Sequence, residues 1–534
     1  MLAKELREAS ERAERHLAAE SRSYDAVVVG AGASGGLAAE LLTAAGLNVL
    51  LLDAGVPGGG ARAPFSQVIA QELASLPDRA RAGFFARPLL TALKKPLSFL
   101  GRIRQPTQSR CYAWHRKPNA YVDDIDCPFV NAGDDPFHWI RCRGIGGRLA
   151  VPGHGRIYVR FGVEDFASGD NGLPAWPFPL RELDPWYAAV EKRLGMVAME
   201  ERSGWKTTAL AAAIMARIED SWPELNVELC KPVAPPDCLA VAARTGRLAL
   251  RQGAMARSIE VENGKAAGVT WLDTATGREC HVKTGTVFLC ASPLESTRVL
   301  LLSRDKVTGT PIGRQSNALG HFLMDHVVLR TEAFGPWPKG VSAERDGEPP
   351  GLLVQRFRGE GSRHSHFSVQ VYATKTAFGR LGLYLSAFHE MLPKWTNRVT
   401  IDPERFDRWG IPVLRIACKH GPAELSGAAE MREALEKIAS ALKTKTRRTT
   451  ASRTAAGLAL HECGTARMGD DPSNSVLDPH NECWDARDLF VTDASSFPSQ
   501  GTANPTLTVL ALTARACAHA LENLKARQPK NAWM

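Results

Sequence analysis

The order of apolar and polar residues along the chain predicts a mixed α/β protein. An apolar run at 26–29 enters a glycine loop, an Ala- and Leu-rich stretch with helical spacing follows, and a second apolar run at 49–52 ends on Asp53. Short runs that are apolar on both faces are typical of buried parallel strands, and a helix that joins two of them makes a βαβ unit. Further strand patterns lie between about 245 and 302.

A different pattern covers 327–420. Apolar and polar residues alternate there, most clearly at 366–374 and 381–390, which predicts a large antiparallel sheet. A helix is predicted over 422–443, and the C-terminal part returns to a strand and a long apolar helix. The predicted fold class is therefore α/β, with a Rossmann-type domain interleaved with a second domain built on a large, mostly antiparallel sheet with helices.

Residues 1–22 are predicted to form a charged helical extension. They hold five Lys or Arg and five Glu at helical spacing, so that opposite charges such as those of Lys4 and Glu8 lie on one face. A solvated helix and an arm that docks on the body both fit this pattern, and we expect the solvated helix.

Composition narrows the class of protein. The chain has 534 residues, which is long enough for two or more domains. It has neither an apolar run of the roughly 18 residues that a membrane span needs nor the apolar core of a secretory signal. We therefore expect a cytoplasmic protein, or one exported together with a partner that carries the signal. Eleven cysteines without CxxC or CxxH spacing indicate free thiols and no metal site.

The net charge of +9 is concentrated in one segment. Residues 79–120, which we call the basic segment, contain ten Lys or Arg and no Asp or Glu, within a loop-rich excursion at about 56–140. The segment is either a solvated excursion or a surface for an acidic protein or a lipid headgroup. No nucleic-acid recognition motif accompanies it, so nucleic acid is not an expected partner.

The glycine loop has the chemistry of a dinucleotide site. Gly30 makes a tight turn, Gly32 lets the backbone approach a pyrophosphate, and Gly35 lets helix and strand pack closely. Asp53, eighteen residues after the last glycine, can accept hydrogen bonds from ribose hydroxyls, and the helix N-terminus adds amide donors. This spacing predicts a dinucleotide and leaves NAD and FAD open.

The C-terminal region holds two candidates for catalysis. His461 is a candidate base, and Asn504 is an amide that both donates and accepts. Asn504 also stands where a helix cap belongs, and Pro505 suits a first helical turn. A Gly/Thr/Met loop after the histidine and a strand that ends at Asp493 favour a functional site over two isolated structural side chains.

With these motifs in place, the sequence resembles the glucose-methanol-choline (GMC) family of flavin-dependent alcohol oxidoreductases, from Tyr24 almost to the C-terminus. The similarity is carried by "VVVGAGASGG" (27–36), "HECGTARMG" (461–469) and 489–516, and internal landmarks follow in the same order at 141–166, 175–187, 286–303 and 317–326.

The resemblance implies a site and a mechanism. His461 corresponds to the base that takes the proton of the substrate hydroxyl, and Asn504, forty-three residues later, to the group that hydrogen-bonds the alcohol oxygen while hydride passes to flavin N5. The loop and the resemblance together give the expected cofactor-binding residues, which are Gly30, Gly32, Ala33, Ser34, Gly35, Asp53, Gly146, Gly147, Val151, Ala256, Asp493 and Thr506.

One departure from the family bears on how the flavin is held. Members with covalently attached flavin carry a histidine where this chain has Val151, and His154 lies three positions too late. We therefore expect noncovalent FAD, with His154 as a local hydrogen-bonding group or a substrate contact.

The resemblance also implies a division of the chain. An FAD-binding domain is expected to comprise 23–160, 225–320 and 455–528, and a substrate-binding domain 161–224 and 321–454. In the second domain, pocket contacts and sheet packing are both open for Phe388, Glu390, Lys394 and Trp395.

The expected function is FAD-dependent oxidation of an alcohol, with a sugar, glycoside or polyol favoured, to an aldehyde or ketone. A dehydrogenase that passes electrons to an acceptor protein or small subunit at the basic segment is favoured over an oxidase. Two alternatives stay open: a nicotinamide-dependent dehydrogenase that shares the βαβ unit, and a flavin-binding protein without alcohol oxidation.

Overall fold

The computed structural model describes most of the chain. The described residues are 2–18, 24–56, 103–133, 135–152, 154, 157–166, 174–196, 209–223, 225–230, 237–341, 351–358, 366–376, 378–451 and 456–527. Of the basic segment, 79–102 lie outside the described residues. The division into two domains stays a prediction.

The helices and strands are as follows. Helices are α1 (Leu2–Ala18), α2 (Ala33–Ala44), α3 (Val163–Phe166), α4 (Leu180–Arg193), α5 (Ala209–Ser221), α6 (Cys238–Arg244), α7 (Pro293–Leu301), α8 (Pro422–Ala441) and α9 (Thr506–Arg527). Strands are β1 (Ala26–Val29), β2 (Val49–Asp53), β3 (Val130–Asn131), β4 (Asn226–Cys230), β5 (Leu248–Gln252), β6 (Ala254–Glu262), β7 (Lys265–Asp273), β8 (Glu279–Lys283), β9 (Val287–Leu289), β10 (Arg304–Asp305), β11 (Val327–Gly335), β12 (Gly351–Arg358), β13 (His366–Lys375), β14 (Leu381–His389), β15 (Arg398–Phe406), β16 (Pro412–Ala417), β17 (Lys445–Ala451), β18 (Glu482–Cys483) and β19 (Ala486–Val491).

A parallel sheet carries the glycine loop. Its parallel strands lie side by side in the order β19, β9, β1, β2 and β5, and the antiparallel strands β6 and β7 continue the sheet beyond β19. Val27 and Leu50 face one hydrophobic cluster and Val28 and Leu51 the other, because successive side chains point to opposite faces. α2 connects β1 to β2 and packs against α6 and α9. The predicted α/β fold class is confirmed.

A second sheet, of six strands among the described residues, is antiparallel. Its strands run in the order β17, β11, β14, β13, β12 and β4. α8 packs on one face and buries Met431, Leu435 and Ile438 with the apolar residues of the strands. The residues of β11, β13 and β14 whose side chains point away from α8 therefore lie on the face toward the glycine loop. A smaller sheet joins β15, β16 and β3.

The N-terminal helix α1 is not solvated on all sides, and the expectation of a solvated extension is wrong. α1 packs against β5 and α6, and Ala9 and Ala13 are fully buried. Ala9 and Ala13, with Leu6 beside them, make a narrow apolar stripe on a helix whose other positions are largely charged, and this stripe packs against the body of the protein. None of the helices in the described part of the chain is long and apolar enough to cross a membrane.

Candidate active site

The glycine loop lies at the carboxyl end of β1, where doubly wound sheets bind ligands. Gly30 has a φ of +100°, which disfavours any residue with a side chain. A Cβ added at Gly35 would collide with the carbonyl oxygen of Gly30, whereas a Cβ added at Gly32 would meet nothing within 4 Å. The second glycine therefore leaves an open cradle of the kind that a pyrophosphate requires, and the third packs α2 against the loop.

Asp53 stabilises this loop from the end of β2. Its Oδ2 accepts a hydrogen bond from the Ala31 amide and its Oδ1 one from the Gly55 amide, each at 2.8 Å. Burial raises the pKa of Asp53 above its ordinary value, although the two amides act against that shift. Each carboxylate oxygen keeps a second lone pair for a ribose hydroxyl, so the residues present fit the nucleotide half of FAD.

A cavity of about 990 Å³ extends from the glycine loop to the antiparallel sheet. The expected cofactor residues that line it are Gly30, Gly32, Ala33, Ser34, Asp53, Gly146, Gly147, Ala256, Asp493 and Thr506. Gly35 lies beneath the loop instead, where it allows the close packing described above. The cavity thus brings together residues from both ends of the chain.

Asp493 begins a short 3-10 helix at Ala494–Ser496. Its Oδ1 accepts hydrogen bonds from the amide and the hydroxyl of Ser495, at 3.0 and 2.6 Å, and its Oδ2 accepts one from the Ser296 hydroxyl. The carboxylate therefore fixes the backbone that borders the cavity.

Val151 and His154 differ from the expectation for this stretch. Val151 is fully buried in a cluster with Trp114 and Tyr121 and is not among the described residues that line the cavity, so its expected place beside the cofactor is not supported. His154 does line the cavity, and its Nε2 lies 2.8 Å from the Tyr121 hydroxyl oxygen. An apolar residue here is drawn into the neighbouring core, while the histidine stays at the cavity wall.

The two candidates for catalysis meet at the end of the cavity nearest the antiparallel sheet. Nε2 of His461 lies 3.2 Å from Nδ2 of Asn504. Oδ1 of Asn504 accepts a hydrogen bond of 2.6 Å from Nε2 of Gln370, on β13. The Asn504 side chain therefore points into the site, two residues before α9 begins at Thr506.

A second histidine supports the first from behind. Nδ1 of His326 lies 2.9 Å from Nδ1 of His461, and Nε2 of His326 lies 2.9 Å from the carbonyl oxygen of Gly501. The two ring planes are nearly perpendicular, at 83°. The His461 ring is thus held at both nitrogens, by Asn504 on the cavity side and by His326 on the buried side.

The residue before His326 holds the backbone of the same loop. Oδ1 of Asp325 accepts a hydrogen bond of 2.9 Å from the His461 amide, and its Oδ2 accepts one of 2.7 Å from the Gly457 amide. Met324 and Cys463 also exchange backbone hydrogen bonds, both of 3.0 Å. The segment 324–326 is therefore a template that fixes the position of the His461 loop.

The surroundings of His461 keep its ring neutral. Burial lowers the pKa of His461 well below its ordinary value, and repulsion from His326, Arg148 and Arg330 lowers it further. Burial also lowers the pKa of His326 to about 4. At pH 7 each ring therefore has one nitrogen with a proton and one with a lone pair.

The antiparallel sheet presents polar side chains to the cavity. Ser386 on β14 pairs with Arg330 on β11 and with Gln370 on β13, so the three residues lie in one row. Tyr384 and Tyr372 pair with each other two positions further along the same two strands, on the same face. All five line the cavity, so this wall offers hydroxyl, amide and guanidinium groups.

Two of the four residues expected near the pocket are close to His461 and Asn504. Phe388 lines the cavity, with its ring centroid 5.4 Å from that of His461. Glu390 is buried one layer further back, where Oε1 accepts a 2.8 Å hydrogen bond from the Gly501 amide. Gly501 thus links Glu390, through its amide, to His326, through its carbonyl.

The other two residues have contacts away from the cavity. Nζ of Lys394 lies 2.7 Å from a carboxylate oxygen of Glu424. Trp395 is 45% exposed and stacks on His321 at 3.6 Å between ring centroids. For Lys394 and Trp395 the contacts therefore support a role in packing, not contact with the pocket.

Sequence reasoning did not identify the roles of His326, Asp325, Gln370 and Arg330. The stretch 317–326 is a family landmark, but nothing in its spacing says that its last residue touches His461, 135 residues later. The polar positions of β13 do alternate in the sequence. Which of them lie near Asn504 depends on the strand register and on the packing of one sheet over the other.

Glu390→Gln should remove a pH-dependent loss of stability. Burial, followed by repulsion from Asp165, raises the pKa of Glu390 to about 8 from its ordinary value of 4.5. The folded protein then binds this proton more tightly than the unfolded chain, so stability falls as the pH rises from 4.5 to about 8. Denaturant unfolding near pH 5 should give similar free energies for both proteins, and above pH 8 the variant should be more stable by a few kcal/mol, on the order of the shift.

Glu424→Gln is the matched control, with the opposite sign. Burial alone would raise the pKa of Glu424, but Lys394 and backbone amides outweigh burial and hold that pKa below its ordinary value. This variant should be less stable than wild type at neutral pH, with a difference that shrinks as the pH falls below 4.5. If Glu390→Gln follows the same course as this control, Glu390 is not a protonated buried acid.

Comparison with known proteins finds similarity to one family of oxidoreductases. Residues 393–513 match the family model described as GMC oxidoreductase. The chain is 24% identical to the fructose dehydrogenase large subunit of Gluconobacter japonicus, over 95% of this chain and 99% of that protein. The segment 393–513 is thus similar to the C-terminal domain of GMC oxidoreductases, and the relatives that cover most of the chain are named as alcohol or sugar oxidoreductases. FAD dependence and action on alcohol groups are general properties of GMC oxidoreductases.

Two further GMC comparisons extend this result. The 2-methyl-1,2-propanediol dehydrogenase of Mycolicibacterium austroafricanum is 27% identical, over 70% of this chain and 79% of that protein. The solved structure of pyridoxine 4-oxidase from Mesorbium loti superposes with a TM-score of 0.55 and 19% identity, covering 93% of this chain and 99% of that one. That likeness shows that the two chains share a fold.

Proposed function

We propose that this protein oxidises a CH–OH group of a small polyhydroxylated alcohol, such as a sugar, glycoside or polyol, to an aldehyde or ketone. The observation that carries the proposal is the catalytic pair, with Nε2 of His461 and Nδ2 of Asn504 3.2 Å apart at the cavity wall. A substrate hydroxyl beside the pair, on the cavity side, would donate to Nε2 and accept from Nδ2. That arrangement suits removal of the hydroxyl proton by a positioned base.

FAD is the proposed cofactor, and it is noncovalent. Gly30, Gly32 and Asp53 would hold its nucleotide half, and Gly147 and Thr506 would border the remainder; the open cradle at Gly32 supports this fit. When bound, FAD accepts the hydride that the carbinol carbon gives up. Val151 stands where covalently flavinylated relatives carry histidine, which supports noncovalent binding.

His461 acts as the base because its ring is neutral. Burial and its neighbours hold the pKa of His461 well below its ordinary value, so Nε2 is ready to take a proton without first losing one. Asn504 keeps the hydroxyl oxygen in place, since its own Oδ1 is held by Gln370 and its amide plane cannot turn freely. Loss of the hydroxyl proton makes the carbinol carbon a better hydride donor.

The polar row supports a substrate with several hydroxyl groups. Arg330, Ser386 and Gln370 lie side by side across three strands, with Tyr384 and Tyr372 beyond them. An alkyl chain packed against this row could not hydrogen-bond to its hydroxyl, amide and guanidinium groups, whereas the secondary hydroxyls of a sugar or polyol can both donate to them and accept from them.

Ser386→Ala should affect polyols more than simple alcohols. Ser386 is buried at the centre of the row. The variant loses one hydroxyl group, and the change in volume is too small to alter the packing of the sheet. One neutral hydrogen bond is worth about 0.5–1.5 kcal/mol, so KM for a polyol should rise about 2–10-fold with kcat nearly unchanged. KM for a monohydric alcohol should stay the same, and an equal rise for both would count against the polar row as a substrate contact.

The test of the proposed function is flavin reduction by a panel of substrates. The purified protein should be yellow, and sugars, glycosides and polyols should bleach the flavin without oxygen. A protein that binds no flavin and oxidises alcohols only with a nicotinamide would favour the first alternative function. A yellow protein that no alcohol bleaches would favour the second, a flavin-binding protein without alcohol oxidation.

For the fate of the electrons we propose a dehydrogenase rather than an oxidase. The names of the relatives from Gluconobacter and Mycolicibacterium, one of them a large subunit, support an acceptor other than oxygen. The basic segment, with ten Lys or Arg and no Asp or Glu, has the charge that would attract an acidic acceptor protein. In stopped-flow mixing with air, the reduced flavin should reoxidise more slowly than the enzyme turns over with a dye acceptor.

A further inference from the structure

We propose that His326 is a positioning residue that decides which nitrogen of His461 carries the proton, and so leaves Nε2 of His461 as the base. The inference rests on the proposed function, in which His461 takes the hydroxyl proton. Its support is a chain of four hydrogen bonds whose directions are determined by the chemistry of their ends.

The buried end of the chain determines the state of His326. The carbonyl oxygen of Gly501 can only accept, so Nε2 of His326, 2.9 Å away, must donate to it. In the neutral ring, Nδ1 of His326 then has no proton and is an acceptor. The opposite tautomer would place two lone pairs against each other at the Gly501 contact.

The state of His461 follows from that of His326. Nδ1 of His326 accepts, so Nδ1 of His461, 2.9 Å away, must donate. Nε2 of His461 is then the nitrogen with the lone pair, and it is the nitrogen that faces Asn504 in the cavity. Which nitrogen of a histidine is protonated is generally set by the partner of the other nitrogen.

The cavity end of the chain is consistent with this assignment. Nδ2 of Asn504 donates to Nε2 of His461, which requires the Asn504 oxygen to point the other way. There it accepts the hydrogen bond from Gln370 at 2.6 Å. The directions from Gln370 to Asn504, to His461, to His326 and to Gly501 therefore include no pair of facing protons and no pair of facing lone pairs.

His326 is a neutral partner, which distinguishes it from a carboxylate. A carboxylate at Nδ1 would orient the ring equally well, but it would favour the protonated imidazole and raise the pKa of His461. The charged and titratable groups around the two rings are Arg148, Arg330, Asp325, Glu462, His389 and, through Gly501, Glu390. A second imidazole at Nδ1 therefore orients the His461 ring without placing a negative charge beside it.

Asp325, the residue before His326, holds the backbone of the same loop. Asp325 binds the amide of His461, while His326 binds its ring. Two consecutive residues thus fix the position of the His461 backbone and the orientation of its imidazole. Gly501, with a φ of +61°, directs its carbonyl to His326 and its amide to Glu390.

Three variants test the proposal in the FAD-loaded protein. His326→Ala removes the acceptor at Nδ1 and should slow anaerobic flavin reduction about 10–100-fold, with KM little changed. His326→Asn restores an oxygen acceptor and an amide donor and should recover part of the rate. His326→Asp places a carboxylate at Nδ1 and should shift the acid limb of the pH profile of flavin reduction to higher pH. The substrate is the sugar or polyol that bleaches wild type fastest.

His321→Ala is the matched control for loss of an imidazole. His321 stacks on Trp395 away from the cavity, and this variant should keep the wild-type rate and pH profile. Flavin content and melting temperature are measured for every variant. If His326→Ala does not fold, the rate of His326→Asn and the pH profile of His326→Asp test the proposal in its place. A normal rate in His326→Ala, or an unshifted acid limb in His326→Asp, overturns the proposal.

A second readout does not depend on turnover. Two-bond ¹H–¹⁵N correlation spectra of the protein with ¹⁵N-labelled histidines report the tautomer of each ring, and the signals of His461 are those lost in His461→Asn. Wild type should show His461 protonated at Nδ1 alone, and His326→Ala should lose that preference. A His461 ring protonated at Nε2 in wild type, or one unchanged in His326→Ala, contradicts the proposal even if the alcohol oxidation itself is confirmed. If no alcohol reduces the flavin, the proposed function fails while the spectra still decide the tautomer.

Discussion

His461→Ala should slow anaerobic reduction of the flavin by about 10²–10⁴-fold, which is the contribution of a positioned general base. The ring is buried, neutral and in contact with Asn504, so its removal takes away the lone pair that the proposed mechanism uses to accept the hydroxyl proton. Stopped-flow absorbance with a saturating polyol measures the effect directly. Added imidazole should restore part of the rate, because a free ring can occupy the vacated space.

The same variant has a clear control. Flavin content and melting temperature should stay near those of wild type, since the His461 loop is also held through its backbone by Asp325. A His461→Ala protein that binds FAD and reduces it at the wild-type rate would remove the imidazole from the mechanism.

Gly32→Ala should weaken FAD binding about 10–100-fold while the protein without cofactor keeps its stability. A Cβ at Gly32 meets no protein atom within 4 Å, so it enters the open cradle where the pyrophosphate is proposed to lie. Overpacking of this kind costs about 1–3 kcal/mol, and here the cost falls on the ligand. Titration of the apoprotein with FAD, followed by quenching of flavin fluorescence, measures the affinity.

Gly35→Ala separates binding from folding. Its Cβ would collide with the carbonyl oxygen of Gly30, so this variant should fail to accumulate as folded protein. If Gly32→Ala also fails to fold, or if it binds FAD as tightly as wild type, the cradle is not where the cofactor binds.

The sequence was sufficient for the elements that depend on local pattern. The strands β1 and β2 and the helix between them follow from two apolar runs around a glycine loop, and the predicted helix at 422–443 appears as Pro422–Ala441. Alternation in β13 and β14 likewise predicts strands with two different faces. Periodicity reports burial directly, which is why these predictions succeed.

Contacts between distant segments were beyond such patterns. Ala9 and Ala13 look unremarkable within a charged helix, yet they are the stripe through which α1 docks. Val151 was assigned by its place in a motif, but its apolar side chain packs into the neighbouring cluster. In both cases small apolar side chains follow the nearest core, whose position only the tertiary fold determines.

The same distinction applies to the candidate site. His461 and Asn504 carry a motif and could be named from it, and the structure brings their side chains to 3.2 Å. His326 and Gln370 complete the chain of hydrogen bonds only because β11 and β13 lie over the carboxyl end of the parallel sheet. A histidine that touches another histidine leaves no local signature in the sequence.

The most direct test of the central claim is an isotope effect on flavin reduction. Anaerobic stopped-flow traces are compared for a reactive polyol and for the same polyol deuterated at its carbinol carbons, with wild-type holoenzyme. The account predicts bleaching by the polyol and a primary isotope effect of severalfold on its rate, because the C–H bond breaks as the flavin is reduced. A flavin that no sugar, glycoside or polyol bleaches would contradict the claim that this protein oxidises a CH–OH group at His461.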